Sequence, residues 1–68
     1  MSIIQSILID TNQRTLRQAY DWIASHGFKH NKIDVKHKYY RFRQFNPVHT
    51  KSYRTIELTK GIKAIIEF

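Results

Sequence analysis

The first periodic element is a short apolar run over residues 3 to 9, Ile-Ile-Gln-Ser-Ile-Leu-Ile. It is rich in β-branched side chains and too short for a stable helix, so it predicts a strand buried on at least one side. Ile3, Ile7 and Ile9 share a face with Gln5, while Ile4 and Leu8 point the other way. The period then changes. Leu16, Ala19, Tyr20 and Ile23 recur at helical spacing, with Trp22 beside the stripe. Thr15 and Gln18 stand at capping-box spacing, each able to satisfy an orphan amide of the other's backbone. Gly27 suits the left-handed residue that ends a helix, with Phe28 next in line to pack back on Ile23. The spacing predicts a helix over 16–26, and a start at Thr11 or Asn12 would lengthen it by a turn.

Beyond Gly27, residues 29 to 36 are polar and read as a loop. Residues 38 to 45 alternate as a strand, with Tyr40, Phe42 and Gln44 on one face and Tyr39, Arg41, Arg43 and Phe45 on the other. Asn46-Pro47 stops that strand, because proline cannot donate to a ladder. Residues 53 to 58 and 62 to 68 predict two further strands around the turn Thr59-Lys60-Gly61. A helix with one apolar stripe needs a sheet face to cover. The expected fold is therefore α+β in two layers, β-α-β-β-β, with one helix packed on a four-stranded, mainly antiparallel sheet. Short connections make the last three strands a meander, and the first strand joins an edge or lies beside the last.

At 68 residues the chain has room for a single domain, spanning 1–68, and a thin core. It has no Cys, which removes disulfides, thiol chemistry and Cys-zinc sites. The apolar run at the beginning lacks a basic flank and stops at Asp10. It predicts neither a signal peptide nor a membrane span, and so an intracellular location, without membrane partners.

Charge changes the picture more. The formal net charge is +7 and the isoelectric point about 10.1, a balance that favours polyanions. The whole excess lies in residues 29 to 54: Lys29, Lys32, Lys36, Lys38, Arg41, Arg43, Lys51 and Arg54 against the single acid Asp34. One helix covers one sheet face, so alternation leaves Tyr39, Arg41, Arg43, Phe45, Tyr53, Thr55, Lys63 and Ile65 on the other, together with Ile4 and Leu8. Interleaved aromatic and guanidinium groups suit nucleic acid, the rings stacking bases and the cations meeting phosphates. The same residue types also occur on plain solvated sheet faces and in protein interfaces.

Catalytic and metal chemistry find little support. His26 and His30 are four apart but divided by the helix-ending Gly27, and His37 and His49 flank the Tyr-Arg strand with no carboxylate at ligand spacing, so neither a metal nor another cofactor is expected. The carboxylates are scattered, and no nucleophile elbow or phosphate loop occurs. A non-enzymatic domain is expected.

One set of segments resembles a known family. Leu16…Ala19…Trp22-Ile23…His26-Gly27-Phe28-Lys29, Lys32…Asp34, Tyr40-Arg41-Phe42-Arg43-Gln44, Tyr53-Arg54-Thr55-Ile56 and Gly61-Ile62-Lys63-Ala64-Ile65-Ile66 look like a small domain of tailed phages and large DNA viruses. Such segments also occur within or beside phage head-maturation protease proteins. The resemblance implies a viral or phage setting, in host cytoplasm or virion, and brings no activity with it. The family pattern carries acids before the Tyr-Arg strand, where this chain has Val35-Lys36-His37-Lys38. Part of the charge thus belongs to this member, and Arg41, Arg43, Gln44 and Arg54 to the pattern.

Together these readings predict nucleic-acid binding, DNA or RNA, through the sheet face. Arg41, Arg43 and Arg54 are the phosphate or base-plane contacts, Tyr39 and Tyr53 the stacking residues, and Lys36, Lys38 and Lys51 a diffuse rim. The alternative is a protein-interaction or virion-assembly module using that face, as a homodimer or with a virion partner.

Overall fold

The computed structural model describes residues 3–46 and 51–68; Pro47 and His49 lie outside them. One helix and five strands follow in the order β1 Ile3–Asp10, α1 Leu16–Ser25, β2 Ile33–Val35, β3 Tyr39–Arg43, β4 Tyr53–Thr59 and β5 Ile62–Glu67. The strands form one sheet of spatial order β2-β3-β1-β5-β4, antiparallel at every pairing.

The helix forms where its local signals put it. The Thr15 Oγ1 accepts from the Gln18 N–H at 3.2 Å, and the Gln18 Oε1 accepts from the Thr15 N–H at 2.9 Å. At the other end the Phe28 N–H donates to the Ile23 carbonyl at 3.0 Å and the Gly27 N–H to Ala24 at 3.1 Å. That is the paired bonding of a Schellman motif, with Gly27 at φ 76°. Ala19 and Ile23 are buried against Ile7 and Ile9 of β1, Phe42 of β3 and Ile62 of β5, with Trp22, Phe28 and Tyr40 packed around them. Each fully buried Ile or Phe of this cluster contributes about 1.5–3 kcal/mol.

The sheet departs from expectation in three ways. Residues 29 to 36 are not wholly loop: Ile33–Val35 forms β2, a short edge strand paired with β3. The last three strands make no meander, since β1 lies between β3 and β5. β1 is the chain's most apolar strand, and a central place covers it from both sides. Finally, the register slips between Ile4 and Ser6, a bulge that turns Ile4 toward the helix side, where it packs on the core. Ile3, opposite Glu67, then falls on the open face.

The helix leaves β4 largely uncovered: Ile56 is only half-buried because β4 lies at the edge of the sheet away from the helix-packed strands, and Leu58, where the β4–β5 register shifts between Glu57 and Thr59, is exposed.

Candidate nucleic-acid interface

β3 places Tyr39, Arg41 and Arg43 at alternate positions on the open face, about 7 Å apart along the strand. Lys36 and Lys38 lie in the turn between β2 and β3, closed by the Lys36 N–H donating to the Tyr39 carbonyl at 2.9 Å. These five residues come together. The other three do not join them. Tyr53 shares the open face but sits on β4, three strand spacings or about 14 Å from β3. Its hydroxyl donates to Glu67 Oε1 at 3.1 Å. Arg54 pairs across from Ile66 and so falls on the helix side, with its guanidinium 5.3 Å from the Phe68 ring centre. Lys51 is exposed just ahead of β4.

Both β3 arginines have partners. The Arg41 Nε donates to Ser6 Oγ at 3.3 Å and its Nη2 to Gln5 Oε1 at 3.4 Å. It thereby lies over the bulge and satisfies two polar side chains that are otherwise buried. Arg43 Nη2 stands 3.8 Å from the Asp34 carboxylate, a long and half-exposed ion pair worth little. The Arg43 Nε is buried and has no hydrogen-bond partner among the described residues.

The register also sorts the charges. Asp10, Asp34, Glu57 and Glu67, four of the chain's five acids, alternate onto the open face alongside Arg41, Arg43 and Lys63. Glu57 stands directly opposite Lys63. The middle of that face is therefore close to neutral, and a polyanion gains little there. Outside that balance, Lys29, Lys32, Lys36 and Lys38 cluster around β2 and the β2–β3 turn with no further acid, while Arg14, Arg17, Lys51, Arg54 and Lys60 lie elsewhere.

At the open end of this hairpin is a cleft of about 260 Å³ lined by Lys29, Asn31, Lys32, Arg43, Gln44, Phe45 and Asn46. Its lining holds three cations, three amides, one aromatic ring and no carboxylate. The buried Gln44 builds it. Its Oε1 accepts from the Lys29 N–H at 2.8 Å, and its Nε2 donates to the Lys29 carbonyl at 2.9 Å and to Phe42 at 3.3 Å. The loop leaving the Schellman motif is thus stapled to the end of β3. Lys29 Nζ then lies 4.8 Å from the centre of the Phe45 ring, a cation–π contact. The Gln5 carbonyl accepts from both the Gln44 and Phe45 N–H groups, and the Gln5 side-chain amide donates to the Phe45 carbonyl at 2.6 Å. Phe45 is therefore not on the open face with Arg41 and Arg43. β3 ends at Arg43, alternation lapses, and the ring turns to Lys29.

His26 and His30 act as local packing groups, and His37 is exposed. His26 stacks on Trp22 at 3.9 Å between ring centres and His30 meets the Tyr20 ring edge-on at 4.7 Å. No cluster of three metal-ligating side chains occurs among the described residues. No helix among them is long and apolar enough to cross a membrane. The chain matches no protein-family model, and no curated protein or solved structure is detectably similar to it.

Proposed function

We propose that this domain binds nucleic acid without catalysis, through its basic β2–β3 hairpin and the cleft at the hairpin's open end. One observation carries the reading: Lys29, Lys32, Lys36 and Lys38, unbalanced by the open-face acids, cluster at one edge of the sheet beside Arg41 and Arg43. Lys29, Lys32, Lys36, Lys38 and Arg43 supply phosphate contacts, and each contact releases counterions, so binding weakens steeply with salt. Arg41 contributes charge from a fixed position over the bulge. Tyr53, Arg54 and Lys51, at the far edge, belong to a second surface. The resemblance to small phage and viral domains supplies a setting in which such a basic module would meet DNA or RNA.

The experiment is a salt titration of binding to labelled DNA and RNA by fluorescence anisotropy. Lys36→Gln and Lys38→Gln should each lower the slope of log affinity against log salt by about one. Lys63→Gln, on the balanced face, should leave it unchanged. Equal losses from Lys63→Gln and the hairpin variants would return the interface to the open face. Absence of binding at low salt would reject the reading and leave the assembly alternative.

A further inference from the structure

The cleft is more specific than a charged edge needs to be. An electrostatic ridge requires cations alone, whereas this site sets a half-exposed aromatic ring among three cations and three side-chain amides. The ring is held at both ends of its residue. Its backbone N–H and carbonyl are bonded to Gln5, and Lys29, itself fixed by Gln44, caps the ring through its ammonium. Phe45 therefore has little freedom to lose on contact, the condition under which an aromatic side chain makes a good stacking partner.

From this geometry we infer that the cleft seats one unpaired nucleotide, its base stacked on the face of Phe45 that Lys29 leaves free and its phosphate between Lys32 and Arg43. The inference rests on the nucleic-acid reading and narrows it to single strands. Three features support that ligand. The Arg43 Nε is a buried donor without a partner, on a side chain that lines the cleft. The volume, about 260 Å³, falls just below the usual range of small-molecule sites and is too small for a duplex groove wall. Asn31 and Asn46 offer both donors and acceptors, the groups that read an exposed base edge. In a duplex the bases are stacked and paired, so Phe45 would reach none of them; single strands offer every base face.

The test compares a labelled thymidine oligomer of about 12 nucleotides, within the range such sites cover, with a duplex of the same length. The single strand should bind several-fold more tightly to the natural chain. Phe45→Ala should weaken single-strand binding by roughly 5- to 150-fold, the loss of one stacked base, and leave the salt slope unaltered. Phe45→Leu, which keeps apolar bulk, should lose as much and guards against a folding defect in the alanine variant. Arg43→Gln should weaken both ligands and flatten the slope by about one. Duplex bound as well as single strand, or Phe45→Leu binding like the natural chain, would overturn the cleft assignment and leave the hairpin reading standing. No binding of either ligand would overturn both.

Discussion

Gln44 gives the most direct test of how the cleft is built. Replacing it by Leu keeps the volume and removes three hydrogen bonds: two to the Lys29 backbone at 2.8 and 2.9 Å and one to the Phe42 carbonyl at 3.3 Å. At about 1 kcal/mol each the gross loss is roughly 3 kcal/mol. Water reaching the part-buried Lys29 groups returns some of it, so Gln44→Leu should cost about 2–3 kcal/mol. A domain of this size has roughly 3–10 kcal/mol in total, so the variant should melt about 10–20 °C lower. Urea unfolding followed by far-ultraviolet circular dichroism and by the single tryptophan, Trp22, measures this. Gln44→Glu separates the bonds from the shape. Its carboxylate would face two carbonyls, which raises its folded pKa above the unfolded value near 4.3. The penalty is then full above that raised pKa and is relieved as pH falls through it, since the protonated acid can donate again. A loss below about 1 kcal/mol in Gln44→Leu, with no recovery of Gln44→Glu in acid, would refute the staple.

Two further outcomes follow from local geometry. Gly27→Ala meets open space and suffers only the left-handed backbone, about 1 kcal/mol, whereas Gly61→Ala also sets a Cβ 2.8 Å from the Gln13 Cβ and Cγ. Thermal melting should therefore rank Gly61→Ala as the more damaging of the two. Asp34→Asn removes the carboxylate beside Arg43 and should tighten nucleic-acid binding by a few-fold at low salt, an effect that fades as salt is raised; anisotropy titrations check it.

What the sequence made legible was local. The capping box, the Schellman end and the apolar stripe link residues no more than five positions from the next; both caps lie where the spacing put them, while of the stripe Ala19 and Ile23 are buried and Leu16 and Tyr20 are exposed. Register was not legible. A pairing such as Ile7 with Phe42 on one side and Ala64 on the other is decided by the whole sheet; the spacing allows β1 an edge or a place beside the last strand, and it takes the second, with β3 on its other side. The Gln5 bulge leaves no mark in the sequence, and it reverses the expected faces of Ile3 and Ile4. β2 hides in polar surroundings, with Ile33 and Val35 its only alternating pair. For the interface, the basic segment was plain, but reading the face as cationic overlooked its acids. The signal was present: Glu57 alternates with Tyr53 and Thr55, and Glu67 with Lys63 and Ile65. Phe45 was missed as a cleft residue because alternation was carried two positions past the strand's end.

The sheet order dictates when this domain can exist. β4 touches the rest of the sheet only through β5, and β5 pairs with β1, the first strand made. Until residues 62–67 have been synthesised, the growing chain can assemble no more than β1, β3, β2 and the helix. That partial body presents a long apolar edge along β1, the kind of template on which wrong partners add. Closing across nearly the whole chain is slow. Excess production should therefore favour exchange of β5 between neighbouring copies, each filling the gap beside the other's β1.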